Sequence, residues 1–142
     1  MRPSKNDYYY GIAKQVAQRS TCLRRHYGAV VAKNDEIIST GYNGAARGVE
    51  NCCDKGVCWR EAHGIPHGEQ YEKCVAVHAE QNAIISASRQ EMLGATMYLY
   101  GEEADGTEIE AKPCLICERM LKNAGIATLV TLNNERSDEN VR

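Results

Sequence analysis

The stretch AEQNAIISASRQEMLGATMYLY, residues 79–100, decides the architecture. Its first part carries Ala83, Ile84, Ala87 and Met92 on one helical face, so it predicts a helix from about Ala79 to Met92, closed by Gly94. Thr96 to Tyr100 is a short apolar run suited to a pleated surface and predicts a strand. Downstream the alternation repeats: Pro113 opens a helix to about Asn123, Gly125 ends it, and Ile126 to Leu132 is a last apolar strand. Between the two units Gly101 to Lys112 is an acidic excursion with a turn signal at Asp105-Gly106. Strands alternating with helices in this way lie parallel, joined by helical crossovers.

Upstream, Asp7 can cap a helix to about Arg19 with an apolar stripe of Tyr9, Ile12, Ala13, Val16 and Ala17. Gly28 to Lys33 and Glu36 to Tyr42 read as a hairpin about Asn34-Asp35, with Val30 and Ala32 facing opposite to Ala29 and Val31. The order helix, hairpin, helix, strand, helix, strand predicts a three-layer α/β/α domain with a mixed sheet. A chain of 142 residues is long enough to fold as one domain, residues 1–142, without disulfides. Two segments fall outside the periodic pattern: a long loop over about 43–77 and a polar tail over about 133–142, expected to fray.

Composition narrows the function classes. No segment approaches the length of a membrane span, and no apolar run follows the basic residues of Met1 to Tyr10, so the expectation is a cytoplasmic protein without membrane partners. The seven cysteines are odd in number and cluster near histidines, which favours thiolate ligands over a disulfide framework. A net charge of -2 argues against nucleic acid as a partner. A small anion still has local cations to meet, in the run Arg24, Arg25, His26 and in Arg47, Lys55 and Arg60.

Two short motifs carry the chemistry. His78-Ala79-Glu80 precedes the strand Thr96 to Tyr100, and Pro113-Cys114-Leu115-Ile116-Cys117 follows it. Cys114 and Cys117 are three apart, so both sulfurs share one face of a first helical turn. His78 and Glu80 are two apart and share no face of a continuous helix, which places His78 at the helix entrance. A Cys-x-x-Cys pair alone also reads as a buried or redox pair. With an imidazole added, the three groups form a catalytic zinc set that keeps one coordination position open, and Glu80 is left over as a proton shuttle. The combination of H-x-E and P-C-x-x-C is the signature of zinc nucleobase deaminases, whose reaction is hydrolytic loss of ammonia.

Further segments extend the match. Ser20-Thr21-Cys22-Leu23-Arg24 with Gly28-Ala29-Val30, the loop Gly41-Tyr42-Asn43-Gly44, Ile65-Pro66-His67-Gly68, Tyr71-Glu72-Lys73-Cys74 and Val77 to Ile84 resemble the deoxycytidylate deaminase branch of the cytidine deaminase superfamily. The resemblance covers most of Ser20 to Ile126. It implies a cytidine deaminase-like fold and hydrolysis of dCMP to dUMP, the precursor for thymidylate synthesis. It also implies that Asn43 contacts the deoxyribose and that Ala79 offers its backbone N–H to the base carbonyl. Tyr42 and Tyr100 are candidate pocket walls, with core packing as the alternative. Arg24, Arg25 and His26 are candidates for the 5'-phosphate, with a solvated basic turn or a regulator site as the alternatives. The family further implies a homo-oligomer and a deoxynucleoside triphosphate effector.

Three features depart from the pattern. Tyr27 stands where an aliphatic residue is usual, Lys112 precedes the Pro-Cys pair, and little chain remains after Leu132 for a last strand and helix. Five cysteines lie outside the catalytic set, and a closed zinc site takes four ligands. A second, structural zinc would use Cys22, Cys52, Cys74 and either Cys58 or His67, a site the resemblance supports best at Cys22 and Cys52. The alternative is a set of reduced, partly buried thiols. Competing functions are a tRNA or other polynucleotide base deaminase, which needs a basic face, and a catalytically inactive nucleotide-binding zinc module, which has no need of Glu80.

Overall fold

The computed structural model describes residues 1–66, 68–70 and 73–136. Helix α1, Lys5–Ala17, is capped by Ser4, whose Oγ accepts the Asp7 N–H at 3.1 Å. The expected cap, Asp7, instead lies in the first turn, where its charge complements the helix dipole. Strands β1, Arg25–Lys33, and β2, Glu36–Tyr42, form the expected antiparallel hairpin. Its turn residues Asn34 and Asp35 have φ of 54° and 62°, the left-handed pair that suits a two-residue hairpin loop.

The long loop is closed by a two-residue ladder rather than left open. β3, Gly44–Ala45, opens it; its described residues then include the single-turn helices α2 at Cys52–Lys55 and α3 at Trp59–Ala62. β4, Ala76–Val77, pairs back antiparallel to β3. The expected helix over 79–92 is two helices, α4 at Ala79–Ile85 and α5 at Arg89–Met92. Ser88 causes the break: its Oγ accepts the Glu91 N–H and its own N–H donates to the Glu91 carboxylate, so capping competes with helix continuation.

β5 runs over Thr96–Glu103, longer than the expected strand, and turns through Asp105-Gly106 into β6, Glu108–Ile109. α6, Leu115–Ala124, begins after Pro113, because Cys114 takes the capping position; Gly125 ends it at φ 83°. β7, Thr128–Thr131, is followed by β8, Asn134–Arg136. The start of the polar tail therefore adds an edge strand instead of fraying, since Asn133 at φ 57° turns the chain back onto β7.

The sheet order is β2-β1-β5-β7-β8, with β6 paired to β5. Among the described residues only β5 and β7 are parallel; β1 is antiparallel to both β2 and β5. Strand alternation then sorts the core into two layers, as the mixed three-layer reading requires. Val30, Ala32, Tyr98, Tyr100 and Val130 pack with α1 residues Tyr9, Ala13 and Ala17. Ala29, Val31, Met97, Leu99 and Leu129 pack with Ala79, Ala83, Leu121 and Ala124 of α4 and α6. Fully burying a side chain such as Leu99 or Leu129 contributes about 1.5–3 kcal/mol.

Two glycines set how closely the layers approach. A Cβ on Gly28 would lie 2.1 Å from Ala13 O in α1, and one on Gly41 would lie 2.4 Å from both Ala79 O and Ala83 N in α4. Gly41 thus lets β2 support the helix that begins at His78. No helix among the described residues is long and apolar enough to cross a membrane.

Candidate active site

Two helix entrances meet on the α4/α6 side of the sheet. His78 is the N-cap of α4, with extended backbone angles, and its N–H donates to Gln81 Oε1 at 2.8 Å. Cys114 is the N-cap of α6, and its Sγ accepts the Cys117 N–H at 3.4 Å. The capping geometry turns three side chains toward one point: His78 Nδ1 lies 3.2 Å from Cys117 Sγ and 3.6 Å from Cys114 Sγ. Among the described residues this is the group of three or more candidate ligands whose atoms all fall within 4.8 Å of one another.

The donor set fits zinc. Tetrahedral bonds of ordinary length would separate the nitrogen from each sulfur by about 3.6 Å. Burial pushes the pKa of His78 down, which keeps the imidazole in the neutral form that ligates. Burial, reinforced by the charges of Glu80 and Cys114, pushes the Cys117 thiol up. A cluster that resists ionisation through its own negative neighbours is relieved by a divalent cation.

Glu80 is the second residue of α4 and only 5% exposed. Burial raises its pKa, partly offset by its own backbone N–H and by hydrogen bonding with Cys117. Ala79, fully buried ahead of it, is the first residue of α4, where helix N–H groups have no acceptor within the helix.

A cavity of about 140 Å³ opens over this cluster, and His78, Glu80 and Cys114 form part of its wall. Asn43 and Arg24 and Arg25 also line it, as the sequence suggested. Asn43 is buried, and three of the bonds its amide can make are internal. Oδ1 accepts from Ser20 Oγ at 2.6 Å and from the Tyr27 N–H at 2.9 Å, and Nδ2 donates to Arg25 O at 2.9 Å. Arg24 Nε pairs with Glu61 at 3.0 Å, while Arg24 Nη1 is buried with no hydrogen-bond partner among the described residues. Arg25 pairs with Glu103 through two nitrogens, at 3.2 and 3.4 Å.

Three sequence candidates fall elsewhere. Tyr100 points to the α1 face, 1% exposed, and donates its O–H to Glu102 at 3.0 Å. His26 also turns away from the cavity, because it alternates with the cavity-lining Arg25 and Tyr27; its ring lies against Glu102 and Cys22 O. Tyr42 ends β2 exposed, with its carbonyl accepting from Asn82 Nδ2, and is not part of the wall. Tyr27 and Leu99 take the wall positions instead, with Arg60 and Lys112. Strand alternation was the available signal for Leu99, since it shares a face with the core residues beneath α4 and α6. Arg60 was singled out only by its charge, as a cation for a small anion; it is buried in an aperiodic loop, where it donates to Pro66 O and Glu69 O.

Of the other cysteines, Cys22, Cys58 and Cys74 border the same cavity, and Cys52 is buried close by. Burial raises the Cys52 pKa, and the thiols of Cys22, Cys74 and Cys58 raise it further. Cys53 is exposed, and His67 lies outside the described residues.

A His-Cys-Cys cage with a carboxylate held beside it defines the class of zinc-dependent base deaminases. The family described as cytidine and deoxycytidylate deaminase zinc-binding region matches residues 3–133. The chain belongs to this family. It is 38% identical over 134 residues to deoxycytidylate deaminase of Mycobacterium phage D29, covering 91% of this chain and 94% of that protein. It is 35% identical to deoxycytidylate deaminase of Schizosaccharomyces pombe, over 91% of this chain but 37% of that one. Among solved structures, dCMP deaminase from the cyanophage S-TIM5 in complex with dCMP and dUMP is similar with a TM-score of 0.62 and 26% identity, covering 91% of this chain and 81% of that one.

Proposed function

We propose that the protein is a zinc-dependent hydrolase that converts dCMP and water to dUMP and ammonia. The observation that carries this reading is the shared cavity. It joins the His78, Cys114 and Glu80 wall to Arg24 and Arg25, whose positive charge suits a phosphate. The names of the phage and yeast relatives support the same substrate.

In this mechanism His78, Cys114 and Cys117 hold the metal. When bound, zinc supplies Lewis acidity that brings the pKa of a water molecule to about 7. Glu80 takes one proton from the attacking water and passes it to the ring nitrogen, then takes the second from the hydroxyl now on the carbon and passes it to the departing amine, and so returns to its starting state. Its burial matches that task, because a carboxyl with a raised pKa can carry the proton between steps. Ala79 donates its N–H to the base carbonyl, and the remaining Nδ2 hydrogen of Asn43 meets the sugar. Arg24 and Arg25 take the 5'-phosphate, held ready by Glu61 and Glu103.

These ion pairs also separate the reading from its rivals. Cations matched to carboxylates make a local anion site, not the unpaired basic track that a polynucleotide requires. A module retained only for binding gains nothing from burying Glu80. The test is turnover of dCMP, CMP, deoxycytidine and dCTP by ammonia release. The expected order places dCMP first and deoxycytidine far behind; equal rates for dCMP and deoxycytidine would remove the phosphate role.

The same proposal includes a second, structural zinc at Cys22, Cys52, Cys58 and Cys74. Support comes from the effect of the Cys22, Cys74 and Cys58 thiols on buried Cys52 and from two N–H···S bonds, Arg24 N to Cys22 and Ala76 N to Cys74, both at 3.4 Å. Metal analysis should find two zinc ions per chain in the wild type and one in Cys52→Ala. One zinc in both would overturn the second site. We also place a deoxynucleoside triphosphate effector, a cytoplasmic setting and a homo-oligomer within this reading. The last is supported by exposed Leu115 and Ile116 on the first turn of α6.

A further inference from the structure

We propose that His26 and Glu102 form a positioning strut behind the sheet that fixes the segment carrying Arg24 and Arg25. The inference rests on the reading that these arginines take a nucleotide phosphate.

The segment Ser20–Arg24 joins α1 to β1 and belongs to neither; backbone bonds tie Thr21 to Asn43 O and to the Cys53 N–H, and side chains hold the rest of it. On the cavity side that role falls to Asn43, bonded to Ser20, Tyr27 and Arg25. Ser20 Oγ in turn accepts the Cys22 N–H at 3.3 Å. These bonds grip one side of the segment only. From the opposite face, His26 Nε2 lies 3.1 Å from Cys22 O, and Nδ1 lies 3.4 Å from Glu102 Oε2.

Glu102 is a firm anchor. It is 6% exposed on β5, and its Oε1 accepts from Gln18 Nε2 at 2.9 Å and from the Tyr100 O–H at 3.0 Å. Gln18 caps the C-terminus of α1, so one carboxylate ties together α1, β1 and β5. Only the imidazole extends this anchor to the Cys22 carbonyl, two residues before Arg24. A buried carboxylate that touches neither cavity nor solvent would be a costly core element unless its bonds do such work. Strand alternation gives the device its logic: β1 sends Arg25 into the cavity and His26 out of its back, so the strut acts on the phosphate site without occupying it.

The strut acts on binding and not on the chemical step. In His26→Ala the KM for dCMP and the inhibition constant of dUMP should both rise about tenfold, the scale of one hydrogen bond to a charged group. The kcat should stay within about twofold, and inhibition by deoxyuridine, which lacks the phosphate, should not change. His26→Gln, whose amide still reaches toward Cys22 O, should recover most of the loss. Equal changes for dUMP and deoxyuridine, a parallel fall in kcat, or an unchanged KM would overturn the proposal. Hydrogen exchange supplies a readout free of catalysis. Protection of the Arg24 and Tyr27 amides should fall in His26→Ala and in Glu102→Gln, while that of α6 is retained. Unchanged protection would refute the strut even if dCMP proved not to be the substrate, and absence of wild-type turnover would refute the substrate alone.

Discussion

Glu80→Gln is expected to remain folded and to keep its catalytic zinc while losing about a thousandfold in turnover of dCMP, the scale of a positioned acid–base group. The amide matches the carboxyl in size, so the packing that leaves Glu80 5% exposed is conserved. Three other residues form the metal cage, so metal content should be unaffected. What is lost is the ability to accept and return a proton. Zinc content and kcat measured on the same sample check the expectation. Normal turnover would remove Glu80 from the mechanism, and loss of zinc would make it a ligand.

Gly41→Val should be the most damaging change to the support of α4 outside the cage. Its Cβ would meet Ala79 O and Ala83 N at 2.4 Å, and the Asn82 Cβ at 2.9 Å. Two of these three atoms are helix backbone and cannot rotate aside. Either β2 or α4 must shift, and overpacking of this kind costs about 3 kcal/mol. For a chain of this size that lowers the melting temperature by about 10 °C. Because α4 carries His78 at its cap and Glu80 in its first turn, zinc content and activity should fall with stability. A variant with wild-type melting temperature and turnover would contradict the close approach.

The catalytic set was legible in the sequence because its geometry is local. Spacings of two and three residues at a helix entrance determine where His78, Glu80, Cys114 and Cys117 point, whatever the rest of the fold does. The hairpin at Asn34-Asp35 was legible for the same reason. Tyr100 takes the core position that the sequence leaves open as its alternative, and His26 faces away from the cavity, because the phase of a strand depends on its register with its neighbours and not on its own composition. Gly41 and Gly44 were read as motif letters, and their physical role emerged only with the neighbours they admit, α4 and the Thr21 hydroxyl. Charge alone singled out Arg60, and a loop without periodicity gave no sign of its burial; the break at Ser88 hid inside a helical pattern that capping overruled. The edge strand β8 depended on a single left-handed residue, Asn133.

A zinc cage, a proton-carrying carboxylate and a phosphate site in one cavity would together deaminate a deoxycytidine nucleotide. Incubating the zinc-loaded protein with dCMP and measuring dUMP and ammonia together tests this. Both should appear in equal amounts, and removal of zinc should stop both. Absence of dUMP with the metal bound would contradict it.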